Sequence, residues 1–252
     1  MTNKLRGKRA FIYGGGTGLG LACAEAMLAT GASVFITGRR IEKLQEAYSL
    51  LGADRVGLAA GDFTHETDVA SVTEEALKFL GGIDVLIVSS GTSAIGSILT
   101  AGRAQFEDVI TTNLVGPFLA VRHAVPHLIR SAPASVILIA SVVAVTAMKE
   151  RVAYITSKAG LLGMMRSMAL DLAEHQVRVN AISPSLVLTE LAQEILSREV
   201  DSAATLARRQ AQHPLGRLGE PQDIGAAAVY LASEDSGWMT GQNLVIDGGL
   251  SV

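Results

Sequence analysis

The sequence predicts an α/β fold class: one doubly wound domain in which helices cover both faces of a mostly parallel, seven-stranded sheet. Three observations predict it. Short β-branched runs alternate with longer helical stretches from end to end, and no linker-like, low-complexity or repeated segment interrupts them. The strand runs are almost continuously apolar, as strands buried on both faces must be, whereas a sheet wetted on one face alternates. Aromatics are only 4% against a hydrophobic share of 49%, so the core is built from Ala, Val, Ile and Leu.

In chain order the strand runs are 9–13 (RAFIY), 33–37 (SVFIT), 55–60 (RVGLAA), 84–89 (DVLIVS), 135–140 (SVILIA), 178–182 (RVNAI) and 243–247 (NLVID). Stretches with helical spacing separate them at 18–30, 40–51, 66–80, 104–131, 152–174 and 221–232. Each strand–helix–strand step then crosses over to a parallel neighbour. The segment 186–219 stands apart as a long, more polar excursion, the composition of a lid on the substrate side. Residues 1–252 therefore read as a single domain carrying that lid.

Bulk composition excludes several classes. A net charge of −3 with scattered basic residues argues against a nucleic-acid surface. Cys23 is the only cysteine, so neither an intramolecular disulfide nor a zinc cluster is expected, and a reducing compartment fits. His123 and His127 lie four apart, but Pro126 separates them and no acidic partner accompanies them, so no metal site is expected. The apolar run AFIY near the start is too short for a signal peptide, and 134–148 is too short to span a bilayer. A cytoplasmic protein without membrane contact is the expectation.

The stretch FIYGGGTGLGLACAEAM leaves a strand, turns through glycines and opens a helix. Gly14, Gly18 and Gly20 would let the backbone approach a pyrophosphate that a Cβ would obstruct, and the helix N-terminus offers it free N–H groups. At the first strand–helix junction this is the place for a Rossmann-type dinucleotide site. After the second strand comes FITGRR, with Gly38 where an acid would accept from the ribose 2′-hydroxyl of NAD. Arg39 and Arg40 follow instead, and arginine pairs with a 2′-phosphate. The cofactor reading is accordingly NADP, with NAD the other candidate; the plainer reading is two solvated arginines opening a helix. Asp62, after strand three, reads equally as an acceptor for the adenine amine and as an ordinary N-cap.

Ser141, Tyr154 and Lys158 sit in the otherwise apolar stretch SVVAVTAMKERVAYITSKAG. Tyr154 and Lys158 are four apart on one helical face, and Ser141 ends strand five, where α/β sheets present ligands. With these residues the chain resembles the short-chain dehydrogenase/reductase family in its compact single-domain branch. The resemblance runs through the glycine turn, Asp62, Asn113 in TTNLVGPF, Ser141, YITSK, RVNAISP, Thr189, HPLGRLGEPQDI and GQNLVIDGG.

The resemblance implies a catalytic set of Asn113, Ser141, Tyr154 and Lys158. Tyr154 would be the acid in carbonyl reduction and the base in alcohol oxidation, with Lys158 and the oxidised nicotinamide lowering its pKa from about 10 by two to three units, roughly 3–4 kcal/mol. Ser141 would hold the substrate oxygen, and Asn113 would anchor a water chain from Lys158. The implied cofactor residues are Gly14, Gly16, Thr17, Gly18, Leu19, Gly20, Arg39, Arg40, Asp62, Phe63, Gly91, Tyr154, Lys158, Pro184, Val187 and Thr189. The implied substrate wall is Ser93, Val143, Met148, Ser185 and Leu186, an apolar setting for a small carbonyl or alcohol, with a 3-oxoacyl-type compound as the nearest guess.

Three positions depart from the family. Tyr13 replaces a threonine whose hydroxyl ties the first turn to the segment after strand four, and that segment reads VSSG (88–91) in place of Asn-Asn-Ala-Gly. Ser185 replaces a turn glycine, and its hydroxyl reads either as a neutral change or as a group facing substrate. A catalytically quiet dinucleotide-binding sensor is the competing function, supported only by the altered 88–91 segment. The helices at 104–131 and 152–174 are apolar on more than one face, which implies burial on both sides and, by the resemblance, a homotetramer.

Overall fold

A computed structural model describes residues 3–190, 192 and 202–252, and in it all seven expected strands join one sheet. They are β1 (Arg9–Tyr13), β2 (Ser33–Gly38), β3 (Val56–Ala60), β4 (Val85–Val88), β5 (Ala134–Ile139), β6 (Val177–Pro184) and β7 (Asn243–Ile246). Their order is β3-β2-β1-β4-β5-β6-β7, and every neighbouring pair is parallel. The helices are α1 (Gly18–Ala29), α2 (Ile41–Leu51), α3 (Glu66–Leu80), α4 (Arg103–Ile110), α5 (Gly116–Arg130), α6 (Val152–Ala173), α7 (Ser202–Ala211) and α8 (Pro221–Ala232). Within the expected lid segment 186–219, residues 191 and 193–201 lie outside the described residues.

Alternation along each strand feeds two cores. In β1, Ala10 and Ile12 enter one layer with Met27, Leu44 and Ile224. Phe11 and Tyr13 enter the opposite layer with Val69, Leu128 and Met165. Each large side chain fully buried in this way contributes about 1.5–3 kcal/mol, which is why the strand runs are apolar at every position. On one face α1 and α8 approach so closely that a Cβ on Gly225 would stand 2.9 Å from the Ala22 carbonyl oxygen.

Two differences from the sequence reading bear on the site. The stretch 104–131 is not one regular helix: a π segment, Thr111–Val115, joins α4 to α5 and holds Asn113 at its centre. Such bulges re-aim a side chain without breaking the helix, and hydropathy does not reveal them. β6 runs on to Pro184, because the polar Ser183 is buried and donates to Asn243 Oδ1 at 2.7 Å.

Between β1 and β4 the strand order reverses, opening a crevice at the C-terminal edge of the sheet. The glycine turn, the 89–94 segment, Ser141 and the 185–189 loop all leave strands at that edge.

Candidate active site

At the nucleotide end, the turn after β1 requires its glycines. Gly14 has φ +79°, and a Cβ there would meet the Ser90 amide nitrogen and hydroxyl at 2.8 Å. A Cβ on Gly20 would stand 2.2 Å from the Gly14 carbonyl oxygen. The Gly14 and Gly15 amides donate to the Thr37 carbonyl at 2.8 and 3.3 Å, fixing the turn to β2. Thr17 is the N-cap of α1 but makes no side-chain capping bond, so it does not occupy the first-turn N–H groups. Gly16, Thr17, Gly18 and Leu19 are partly exposed there, and the Thr189 methyl lies 3.6 Å from the place of a Cβ on Gly18. An anion-receiving helix end framed by glycines fits a dinucleotide pyrophosphate.

Past β2, Arg39 and Arg40 are exposed, with Arg39 3.9 Å from Asp62. Asp62 Oδ1 accepts from the Thr64 amide at 3.0 Å and the Thr64 hydroxyl at 2.7 Å. Burial works to raise the Asp62 pKa, but the Thr64 bonds and the charge of Arg39 hold it below the ordinary carboxylate value. Asp62 thus closes a turn three residues before His65, which is the N-cap of α3. Phe63 turns its ring into the core, 6.1 Å from Tyr13 and beneath Gly116.

Tyr13 does not replace the missing threonine tie. It is buried, its ring tilted against Phe11 with centroids 4.7 Å apart, and its hydroxyl lies 3.4 Å from Thr73. The first turn and the 88–91 segment are joined by the Ser89 amide donating to the Tyr13 carbonyl at 2.9 Å and by Ser90 packing on Gly14.

At the chemical end, Ser141 follows β5, and Tyr154 and Lys158 lie in the first two turns of α6. Ser141 acts on the Tyr154 phenol in the direction that favours its ionised form. Lys158 is buried, donates to the Ile139 carbonyl at 2.9 Å, and stands 5.9 Å from the Tyr154 ring centroid. Burial pulls its ammonium down to about 8. Burial pushes the Tyr154 phenol up, opposed by Ser141 and the charge of Arg151.

Asn113, in the π segment, is fully engaged. Its Oδ1 accepts from the Thr92 amide at 2.7 Å, and its Nδ2 donates to the Thr92 carbonyl at 2.8 Å and to Ser157 at 3.0 Å. Ser157 in turn donates to the Tyr154 carbonyl at 2.7 Å. Asn113 thereby ties the segment after β4 to the start of α6. Gly91 fits between: a Cβ there would be 3.2 Å from Asn113 Oδ1 and 3.5 Å from Lys158 Nζ.

The residues of the expected substrate wall differ in exposure. Ser93 and Met148 are exposed and Leu186 is half-buried, but Val143 is buried, with its amide donating to Ser141 Oγ at 3.4 Å. The Ser185 hydroxyl is not turned to a substrate; it pairs with His213 Nε2 at 3.0 Å. Ser185 is absent from the residues with positive φ, which is why a side chain is tolerated there. Pro184 and Val187 are buried beside it. The residues that sequence reasoning missed are Ser90, Thr92, Ser157 and His213. Each acts through a contact between segments distant in the chain, which leaves no local signal. Among the described residues no three His, Cys, Asp or Glu side chains gather as a metal site, and no helix is long and apolar enough to cross a membrane.

Known proteins place this arrangement. Residues 14–251 match the family described as Enoyl-(Acyl carrier protein) reductase. The 3-oxoacyl-(acyl-carrier-protein) reductase of Aquifex aeolicus is 30% identical, over 99% of this chain and 100% of its own. The L-fucose dehydrogenase of Rattus norvegicus is 32% identical over 96% and 89%. The ligand-free aldohexose dehydrogenase of Thermoplasma acidophilum superposes with a TM-score of 0.89 at 30% identity, covering 100% of this chain and 96% of that one. These are dehydrogenases and reductases acting on alcohol or carbonyl groups, the class to which fold and site both point. The chain belongs to the short-chain dehydrogenase/reductase family, and it is an oxidoreductase of that family.

Proposed function

We propose that this chain is an NADP(H)-dependent enzyme interconverting a ketone and a secondary alcohol, with Tyr154 as the acid–base group. The observation that carries the reading is the corner where the buried Lys158 ammonium stands 5.9 Å from the Tyr154 ring centroid and Ser141 ends β5, on the sheet edge shared with the glycine turn. The nicotinamide, when bound, supplies or accepts the hydride. Ser141 orients the carbonyl oxygen toward the phenol. Tyr154, kept protonated by burial, hands its proton to that oxygen in reduction and takes it back in oxidation. The Lys158 charge favours the phenolate left behind, and Asn113 holds the 91–92 segment against α6. Gly14, Gly18 and Gly20 with the first turn of α1 receive the pyrophosphate, and the exposed Arg39 and Arg40 meet the 2′-phosphate.

Met148 and Leu186 border an uncharged reacting region, which favours a small carbonyl or 3-oxoacyl-type substrate. Exposed apolar side chains on α5 and α6, Phe118 and Leu170 among them, support a homotetramer, and the site asks for no nucleic acid or membrane. The protein would work in the cytoplasm. Separate NADPH and NADH titrations, followed by a carbonyl panel read as loss of reduced-cofactor absorbance, test the reading. Tighter NADPH binding and turnover of at least one ketone are expected. Failure of both nucleotides to bind would overturn it.

A further inference from the structure

We propose that Ser185 and His213 form a positioning pair that holds the 185–189 loop at the nicotinamide end of the cofactor. The inference rests on the nucleotide reading above and concerns this chain's own side chains. His213 is buried, and its Nδ1 lies 2.8 Å from the Arg209 carbonyl oxygen. That oxygen can only accept, so Nδ1 carries a proton, and the Ser185 hydroxyl lies 3.0 Å from the other ring nitrogen, Nε2. The ring is a fixed post. Its backbone amide donates to Gln210 at 2.9 Å, and its side chain packs 3.5 Å from the place of a Cβ on Gly248.

What the post holds is close to the reacting centre. Ala140 donates to Ile182, so Ser141 leaves its strand beside Pro184, one residue before Ser185. On the other side Pro184 pairs with Ile246, and the Ser185 amide donates to the Ile246 carbonyl at 3.2 Å. The loop then carries Thr189 to the start of α1, against Gly18. A second clamp, Leu188 to Gly219 at 2.8 Å and Gly219 to Leu186 at 3.1 Å, fastens the same loop to the same returning segment. Two clamps converge on one loop, and only the Ser185–His213 clamp depends on side chains. Neither residue touches the reacting atoms. They set where the loop lies, and so how well it receives the nicotinamide half, while the adenosine half is held at the other end of the crevice.

The test compares two ligands on the full chain by calorimetry: NADPH, and its nicotinamide-free half, 2′-phospho-ADP-ribose, with NADH and ADP-ribose as a parallel pair. Ser185→Ala and His213→Leu should each weaken the whole dinucleotide by about threefold to tenfold, the worth of one neutral hydrogen bond. The half-ligand should bind unchanged. The double variant should be no weaker than the worse single one, because both remove the same contact. Should His213→Leu not fold, the two-ligand comparison with Ser185→Ala decides alone. Unchanged dinucleotide affinity in Ser185→Ala, equal weakening of both ligands, or losses that multiply in the double variant would overturn the pair. No binding of either nucleotide by the unaltered protein would overturn the nucleotide reading itself, and the pair with it.

Discussion

Replacing Lys158 by methionine should make the empty protein more stable while abolishing its chemistry. The ammonium is buried, and burial pulls its pKa from the ordinary 10.5 to about 8. That difference corresponds to about 3 kcal/mol of destabilisation while the folded protein carries the charge. Methionine fills a similar volume and forfeits one hydrogen bond to the Ile139 carbonyl, worth about 1 kcal/mol. Near neutral pH the variant should therefore gain about 2 kcal/mol. Because the folded pKa lies below the unfolded one, the stability withheld by Lys158 returns as pH rises from about 8 through 10.5 and is lost again as pH falls. The gap between the two proteins should narrow by about 2 kcal/mol between neutral pH and roughly pH 9.5. Urea unfolding of both proteins, unliganded and at one protein concentration, reads this directly. A variant less stable than the unaltered protein near neutral pH, or a gap that does not move with pH, would refute the reasoning.

Other perturbations follow from the same geometry. Gly20→Ala forces a Cβ to 2.2 Å from the Gly14 carbonyl, so nucleotide binding should vanish in calorimetry and the melting temperature should fall. Asn113→Ala removes three hydrogen bonds, to the Thr92 amide, the Thr92 carbonyl and Ser157, and should lower urea stability by about 3 kcal/mol, with turnover falling alongside. Arg39→Asp places an acid beside Asp62 where a 2′-phosphate would lie; NADPH should bind about 10- to 100-fold more weakly while NADH changes little, measured by fluorescence titration.

The fold was legible because apolar continuity is a local property of each strand. All seven runs were visible, and the position of the glycine turn and of Ser141 at strand ends followed from them. Boundaries failed where a buried polar group prolongs an element, as Ser183 does in β6, or where a π segment hides inside a helical stretch, as at Asn113. Grouping Ser141 with Tyr154 and Lys158 came from the family resemblance, since neither spacing nor propensity specifies how β5 meets α6. The roles of Tyr13 and Ser185 were not legible. Tyr13 ends the first strand run, at the position of the family's tying threonine, and β1 alternation commits it to the aromatic core. Ser185 finds its partner 28 residues further along the chain, in a segment whose sequence says nothing of where it returns.

Tyr154→Phe tests the central claim most directly. The variant keeps the ring and loses only the proton donor. Measured against a ketone that the unaltered protein reduces, it should bind the reduced cofactor with unchanged affinity and lose roughly 10²- to 10⁴-fold in turnover. Turnover within a few-fold of the unaltered protein, with cofactor bound, would contradict the assignment of proton transfer to this residue.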